Sequence, residues 1–410
     1  MTAALRRSFD SLKVPNYRRY FQGQVVSLSG NWMQTVAEVW LILSLTGSGF
    51  AVGLATALQF LPIMVLGAWG GSLADRFAKR DLLMVTQALM MIPPLIMLGV
   101  TVSGVVTPAM VFGLIFIRGT LLAVDNPARQ AFVMEMVGPD RIVNAVSLNS
   151  VIVHSARVAG PAFAGILIAT VGIAPCFGLN ALTYLVMIWA LRGMDPNRLT
   201  QPPKLDPNEP GRIRAAVRHV RNTPELAMPL LLMAVVGTLG LNFQVILPLL
   251  ARMSFDGGAS SYALLVSSMG VGSVIGALVI ASRGRTGMGV IAAASLAFGG
   301  FAMAGALMPS LASEIPVLAL LGASAVTFAA AINSTIQLAV EPEMRGRVMA
   351  LYSVVFLGST PIGGPLVGFI SESADPRLAL ALASVSGLIA AAGAWWISGR
   401  NRQRDELQAA

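Results

Sequence analysis

Five ionisable side chains interrupt apolar stretches that are otherwise almost uncharged: Glu38, Arg118, Asp125, His154 and Arg157. An ionisable group in a membrane-length apolar segment is costly, so each of them is a candidate for function. A carboxyl group in low dielectric holds its proton more readily than in water, and it could load a proton on one side and release it on the other. We therefore select Glu38, Arg118 and Asp125 as candidates for proton coupling. The alternative for Glu38 is a hydrogen-bonded side chain that plays no part in coupling.

The basic candidates have different expected roles. Because a guanidinium stays protonated, Arg118 could tune a neighbouring acid such as Glu38, hold an anionic substrate, or make a structural hydrogen bond between helices. His154 and Arg157 are three residues apart and share one helix face. We interpret His154 as a neutral hydrogen-bonding partner, with titration near physiological pH as the alternative. Arg157 is expected to face a cavity or to pair with an acid from a neighbouring helix.

Polar side chains inside the apolar segments complete the candidates for substrate contact. In the second half of the chain we expect only neutral polar groups at depth, so we expect the coupling chemistry in the first half. The candidates for the cavity and the substrate are Asn31, Gln34, His154, Arg157, Asn242, Asn333 and Gln337.

Composition sets the class of protein. The chain is 55% hydrophobic and only 11% charged, whereas soluble domains carry about 25% charged residues. We therefore predict an all-α integral membrane protein. The single cysteine, Cys176, excludes an intramolecular disulfide and implies no thiolate metal cluster, and we expect neither a metal nor a cofactor. A helix needs about 20 apolar residues to cross a bilayer. Twelve such segments are predicted, over residues 22–45, 51–74, 82–104, 108–128, 144–171, 174–192, 226–251, 259–282, 287–309, 312–339, 346–371 and 376–398.

The basic residues are distributed very unevenly between the two sides that these segments define. Of the 28 Lys and Arg residues, 24 lie on the side of the N-terminus, while Arg252 and Arg377 fall on the other side. Positive residues stay in the cytoplasm, so we expect both termini to be cytoplasmic and the membrane to be a bacterial cytoplasmic membrane. The first segment is too long for a signal peptide and is interpreted as a retained helix. The net charge of +9 is thus a topology signal that requires no nucleic-acid partner.

A proline-rich polar stretch divides the chain near its midpoint. We predict an N-terminal six-helix bundle over 1–192, a cytoplasmic linker over 193–224 and a C-terminal six-helix bundle over 225–410. Within the linker, Gly211–Asn222 alternates apolar and basic residues at helical spacing, which indicates either an amphipathic helix on a membrane surface or a solvated segment. The halves also match at a shift of 204 residues, where Gly160 and Pro161 align with Gly364 and Pro365. We expect two pseudo-symmetric halves that face a midplane cavity.

The charged loop after the second segment resembles a known signature. Residues 71–80 read GSLADRFAKR and resemble Gly-x-x-x-Asp-Arg-x-Gly-Arg-Arg, the loop between the second and third helices of the major facilitator superfamily. Ala78 replaces a glycine and Lys79 an arginine. In that family the aspartate meets the N-terminus of the eleventh helix and nearby arginines, and this contact locks the cytoplasmic side. The resemblance implies a cytoplasmic gate made of Gly71, Asp75, Arg76, Arg80, Arg129 and Arg347.

Further stretches resemble one subgroup of that superfamily. Residues 27–48, the stretch PARQAFVMEMV at 127–137 and RGRVMALYSVVF at 345–356 are similar to exporters of drugs, macrolides and siderophores. Arg118 is similar to the mid-helix arginine of this family, which is implicated in proton transfer. Gly160 and Pro161 resemble the antiporter motif of the fifth helix of drug exporters. Glycine permits close helix contact and proline bends a helix, so we predict helix bends at Gly160, Pro161, Gly364 and Pro365.

Together these features predict a proton-coupled exporter of small amphipathic compounds that works by alternating access. The expected partners are a small-molecule substrate, protons and membrane lipids, and we expect a monomer. The alternatives are a transporter of lipid or nutrient with the same fold, or a membrane sensor of that fold that does not transport. No Gly-x-x-x-x-Gly-Lys-Ser/Thr loop occurs, which argues against ATP as the energy source. A membrane-embedded enzyme is disfavoured because the chain holds only two histidines, His154 and His219.

Overall fold

The computed structural model describes residues 9–200, 212–283 and 286–409. Helices account for nearly all of these residues, and no β-strand occurs in this part of the chain. An apolar chain in a bilayer favours helices because a helix satisfies its backbone hydrogen bonds within its own segment. The secondary structure agrees with the predicted all-α class.

Seven helices build the first half. They are α1 (Pro15–Thr46), α2 (Gly49–Arg76), α3 (Lys79–Met90), α4 (Ile92–Val102), α5 (Pro108–Val137), α6 (Ile142–Thr170) and α7 (Ala174–Arg192). The helices α3 and α4 together form one apolar segment that turns at Met91. Pro93 and Pro94 follow this turn, and their missing N–H groups cannot continue the hydrogen bonds of α3.

Eight helices follow in the second half. They are α8 (Arg212–Asn222), α9 (Pro224–Leu239), α10 (Phe243–Leu249), α11 (Ala259–Arg283), α12 (Met288–Leu307), α13 (Leu311–Ala339), α14 (Pro342–Ser373) and α15 (Pro376–Ala409). The helix α8 occupies the predicted amphipathic stretch, of which Gly211 lies outside the described residues.

The seventh predicted segment, 226–251, is interrupted where we expected a continuous helix. The helix α9 ends at Leu239, α10 begins at Phe243, and Leu250–Ser254 then form a π-helical turn. Pro248 lies inside α10, and because it has no N–H it leaves the carbonyl of Gln244 without its usual helical donor. Helix interruptions in transporters free backbone and side-chain polar groups near the middle of the membrane.

Length and composition identify eleven segments in the described residues that could cross a membrane. The 32-residue helix α1 is not one of them, because polar residues such as Gln24, Asn31, Gln34 and Glu38 lower its hydropathy. Together, α1 and the eleven apolar segments correspond to the twelve predicted helices.

The chain divides into two compact units. The first contains residues up to Gly47 and from Leu58 to the linker, and the second contains Ser48–Ala57 and the remainder. Ser48–Ala57 belong to the second unit because Glu372 at the end of α14 accepts hydrogen bonds from the Ser48 hydroxyl (2.7 Å) and the Phe50 N–H (3.0 Å). The domain boundaries predicted at 192 and 225 stay a prediction.

Small residues bring particular helices into close contact. A Cβ added at Gly119 on α5 would lie 2.5 Å from the Gln59 carbonyl oxygen on α2, and one added at Gly70 on α2 would collide with the Ala123 carbonyl. Apolar surface does not drive helix association in lipid, so close packing of this kind does. The contact fixes α5 against α2, and it therefore positions Arg118, the residue before Gly119.

Candidate functional site

Glu38 and Arg118 form an ion pair inside the first unit. The Arg118 Nη2 donates to Glu38 Oε2 at 2.5 Å, and only 2% and 3% of the two side chains are exposed. Gln34 Nε2 donates to the other carboxylate oxygen at 2.6 Å. The Arg118 Nε has no partner among the described residues. The structure thus brings together two residues that we predicted to be neighbours, with Gln34 one turn before Glu38 on α1.

A line of hydrogen bonds continues from this pair to α7. The Asn180 amide donates to Gln34 Oε1, and the Tyr184 hydroxyl donates to Asn31 Oδ1 at 2.6 Å. Asn31 and Gln34 were predicted to contact the substrate, but sequence reasoning missed Asn180 and Tyr184. Their spacing could have identified them, since two polar residues four positions apart lie on the same face of an apolar helix.

The geometry of this network depends on how closely α1 approaches α7. A Cβ added at Gly30 would lie 2.4–2.7 Å from side-chain atoms of Asn180 and Thr183, so a larger residue would displace the polar groups. Gly30 thus allows the α7 amide to reach the Gln34 side chain.

Asp125 lies in a separate polar cluster, seven residues after Arg118 on α5 and so about 10 Å further along the helix. Its carboxylate accepts from the Thr86 hydroxyl at 2.7 Å, the Gln87 amide at 2.8 Å and Arg129. Arg129 also donates to Gln24. Three donors therefore compensate the charge of Asp125. The structure joins Asp125 to Arg129, which we had assigned to the gate, and not to Glu38.

The signature loop, residues 71–80, connects α2 to α3. Asp75 and Arg76 are exposed at the end of α2, and no ion pair to Asp75 occurs in the described part of the chain. Arg80 donates to the carbonyl oxygens of Leu191 at 2.9 Å and Arg192 at 3.1 Å, which end α7. Arg80 thus caps a helix C-terminus, where a positive charge is favourable.

The remaining gate residues have separate surroundings. Lys79, one of the two substituted positions of the motif and not among the predicted gate residues, pairs with Glu135 of α5 at 3.1 Å. Nothing lies within 4 Å of a Cβ placed on Gly71, so close packing does not require a glycine there. Arg347 on α14 donates to the Met344 sulfur at 3.6 Å. The gating role of Asp75 stays a prediction.

Arg157 stacks over the ring of Trp32, with 5.1 Å between the guanidinium carbon and the ring centroid. Its Nε and the Nδ1 of His154 are buried and have no hydrogen-bond partner in the described part of the chain. Of the two alternatives for Arg157, pairing with an acid is not found among the described residues. Both side chains lie on α6, and both are partly exposed.

The glycines predicted at helix bends are positions of close contact. A Cβ added at Gly160 would lie 2.5 Å from the Trp32 Cβ and 2.7 Å from the Ser29 carbonyl. Gly364 lies against Gly53 within the second unit. The helices α6 and α14 continue through Pro161 and Pro365 without interruption. Close packing therefore requires Gly160 where it is, and the bends stay a prediction.

In the second unit, the neutral polar residues that we selected for substrate contact do not form one cluster. Asn242 follows the break after α9 and donates to the Thr238 carbonyl at 2.7 Å, while its Oδ1 is buried and meets no hydrogen-bond donor among the described residues. Asn333 and Gln337 lie on α13 and bond to each other at 2.7 Å. These contacts are local to each segment.

The second half also buries an acidic side chain that we had not selected as a candidate. Glu314, in the first turn of α13, is fully buried, and neither carboxyl oxygen has a partner among the described residues. A Cβ added at Gly305 on α12 would lie 2.9 Å from Glu314 Oε1, so the carboxyl group packs against bare backbone. We did not select Glu314 because it lies only three residues from the start of its helix, where we expected a water-exposed position.

Comparison with known proteins supports the resemblance found in the sequence. A family model described as transmembrane secretion effector matches residues 7–409. The enterobactin exporter EntS of Salmonella choleraesuis is 27% identical over 390 residues, which cover 91% of this chain and 89% of the relative. The staphyloferrin A transporter of Staphylococcus aureus is 25% identical over 267 residues, covering 64% of this chain and 66% of that protein.

A solved structure shows the same fold. A bacterial homologue of the human lysosomal transporter Spinster superposes with a TM-score of 0.72 at 16% identity, covering 93% of this chain and 96% of that one. The predicted fold class is confirmed, and the reading as a membrane-embedded enzyme is excluded because the matched proteins are transporters. The chain belongs to the transmembrane secretion effector family of the major facilitator superfamily and is a multi-pass membrane transporter of small molecules.

Proposed function

We propose that this protein exports small amphipathic compounds in exchange for protons, by alternating access, across a bacterial cytoplasmic membrane with both termini in the cytoplasm. The substrates fall in the range of drugs, macrolides and siderophore-like molecules. The observation that carries the proposal is the buried pair of Glu38 and Arg118.

The chemistry of that pair suits coupling. Adding a proton to Glu38 removes the negative charge that compensates Arg118 and leaves a buried guanidinium without its counter-charge. Leaving one member of a buried ion pair uncompensated costs several kcal/mol. The protein can relieve this cost by admitting water or an anionic group to Arg118, and both require a rearrangement of the helices. Proton binding is thereby linked to a change of conformation.

Asp125 is a weaker candidate for the same role. Three donors already satisfy its carboxylate, including Arg129 on the next turn of its own helix. A pair within one helix survives rigid movement of that helix, whereas Glu38 and Arg118 come from α1 and α5. We therefore assign coupling to Glu38.

The relatives support export over import. EntS is an exporter of enterobactin by name, and the staphyloferrin A protein is a transporter of another siderophore. The low identity leaves the substrate class broad, which is why the proposal covers amphipathic compounds in general.

Everted membrane vesicles test the proposal directly. Vesicles that contain the protein are given an acidic interior and screened with fluorescent dyes, macrolides and siderophores. We expect accumulation of at least one compound that collapses when the pH gradient is removed. Glu38→Gln should abolish the response to the gradient, because the amide cannot be ionised.

Glu135→Gln is the matched control. Glu135 also pairs with a basic residue, Lys79, in the first unit, so this variant loses a comparable ion pair. It should keep gradient-driven transport. Accumulation that does not depend on the pH gradient would favour a lipid or nutrient transporter. No movement of any compound would favour a membrane sensor that does not transport. Coupling that persists in Glu38→Gln would remove Glu38 from the mechanism.

A further inference from the structure

Arg157 differs from three other basic side chains that pack between helices of the first unit. Arg118, Arg129 and Lys79 each lie within ion-pair distance of a carboxylate. Arg157 has a tryptophan ring as its partner and no ion pair to a described carboxylate. A cation–π contact attracts the guanidinium but leaves its charge in place. The positive charge at this position therefore has no compensating carboxylate among the described residues.

The surroundings of Arg157 contain further unsatisfied polar atoms. Its own Nε and the Nδ1 of His154, one turn earlier on α6, have no hydrogen-bond partner among the described residues. Buried polar groups in proteins are nearly always satisfied, so two unsatisfied atoms in one place call for an explanation. Both side chains and Trp32 are also partly exposed, so they lie at the surface of the unit and not deep inside it.

We propose that Arg157, His154 and Trp32 form an anion-recognition site for the transported compound, which is a small organic acid with a planar aromatic group. This inference rests on the proposed transport function and names the substrate class of the protein. The missing counter-charge is supplied by the carboxylate or phenolate of the ligand, and the indole of Trp32 provides a flat apolar surface beside it.

The choice of residue types fits this chemistry. A guanidinium offers its donors in a planar fork that matches a carboxylate, and Arg binds such groups better than Lys does. With Nδ1 as a donor, His154 adds a hydrogen bond to the same anion, and Trp32 stacks on an aromatic ring. A neutral or cationic compound leaves the guanidinium uncompensated, so the site discriminates by charge.

Helix packing holds the three groups in register. Gly160 lies against the backbone of α1 at Ser29 and Trp32, one turn from Arg157 on α6. A larger residue at 160 would push α6 away from α1 and separate Arg157 from the Trp32 ring. The glycine of the motif that resembles the antiporter signature thus shapes the anion site.

Equilibrium dialysis with the purified full-length protein in detergent tests the site without any proton gradient. The probes are 2-naphthoate and its neutral isostere 2-naphthamide. We expect saturable binding of the naphthoate and at least tenfold weaker binding of the amide. Arg157→Gln should weaken naphthoate binding by roughly tenfold or more, the usual effect of losing a charged hydrogen-bond partner.

Arg377→Gln is the matched control, because Arg377 in the second unit also stacks on an aromatic ring, Phe255, at 5.7 Å. This variant loses the same charge and the same kind of contact, and it should bind naphthoate as the wild type does. Equal binding of both probes, no saturable naphthoate binding, or equal effects of the two variants would overturn the proposal. If Arg157→Gln fails to fold, the test uses Arg157→Lys, which keeps the charge but loses the planar fork of donors. Naphthoate should then bind more weakly, and an unchanged naphthoate affinity would contradict the two-donor contact of the guanidinium.

The outcome is separable from that of the proposed function. Gradient-driven transport without Arg157-dependent binding of naphthoate would overturn the anion site alone. Binding that follows the expected pattern, in a protein that moves no compound in vesicles, would overturn proton-coupled export alone.

Discussion

Two buried glutamates, one in each unit, are held in opposite ways. Glu38 in the first unit accepts one charge-assisted hydrogen bond from Arg118 and a further bond from Gln34. Glu314 in the second unit is equally buried but has no partner for either oxygen in the described residues, and it packs against the backbone of Gly305. A paired carboxylate can remain ionised in an apolar interior, whereas an isolated one is held neutral.

This difference in partners implies different consequences of protonation for the two glutamates. In the proposed mechanism Glu38 belongs to a two-state arrangement, because a proton competes with Arg118 for its carboxylate. No basic group of the described residues lies within hydrogen-bond distance of Glu314, so its protonation involves no exchange of partners there. A buried acid is therefore a candidate for coupling only where the structure also supplies the group that replaces the proton.

The largest effect should follow from removing the partner of Glu38. Arg118→Gln leaves a buried carboxylate that lacks its counter-charge, and we expect a loss of about 3–5 kcal/mol in stability. Thermal unfolding can be followed with a thiol-reactive dye, because the single cysteine, Cys176, is buried in the folded protein.

The double variant Glu38→Gln with Arg118→Gln is the control for this change. It places two neutral amides in the same space, so most of the lost stability should return while coupling stays absent. A double variant as unstable as Arg118→Gln would show that packing, and not charge compensation, explains the loss.

Asp75 extends the comparison to an acid that is unpaired in the described residues but exposed. Water satisfies an exposed carboxylate, so Asp75→Asn should unfold at the same temperature as the wild type. If Asp75 acts in the gate, as the family resemblance implies, transport in vesicles should nevertheless fall to a small fraction. Asp81 is an exposed acid in the first turn of α3 that is not assigned to the gate, and Asp81→Asn, as the control, should keep the wild-type transport activity. Wild-type transport by Asp75→Asn would remove Asp75 from the gate.

Glu314→Gln should have a smaller effect than either change. The amide has the shape of a neutral carboxyl group, so stability should change by less than about 1 kcal/mol and transport should persist. The same substitution at position 38 should abolish coupling, and the pair of variants compares the two environments directly. A large loss of transport in Glu314→Gln, with normal unfolding, would show that Glu314 also takes part in coupling.

The sequence predicted the fold well because membrane helices are specified by composition. Apolar length and the loop charges gave the number of helices, and the pairing of Glu38 with Arg118 followed from the rarity of charge in such segments. The interruption at Gly240–Asn242 was missed, because a helix break depends on which neighbouring groups satisfy the freed backbone. Apolar composition is the same for a broken helix and a continuous one.

Contacts between helices were the least predictable part of the site. Asn180 and Tyr184 reach Asn31 and Gln34 only because Gly30 lets α7 approach α1. Gly160 was predicted as part of a helix-bend motif, and the structure adds its contact with α1, while the bend itself stays a prediction. Both features depend on which helix faces which, and spacing along a single chain carries no information about that.

Asp10 completes the comparison as an acid that is exposed and paired, and it should give the smallest effect. It lies outside the membrane-spanning helices and bonds to Lys13 at 2.6 Å and Arg141 at 2.9 Å. Hydrogen bonds from Lys13 and then Arg141 lower the pKa of the Asp10 carboxyl below its ordinary value. A lowered folded-state pKa stabilises the protein above the unfolded pKa, near 3.9, and this contribution is lost as pH falls through the folded value. The unfolding temperatures of Asp10→Asn and the wild type should differ slightly at neutral pH and converge below about pH 4. A gap that widened on acidification would contradict this assignment.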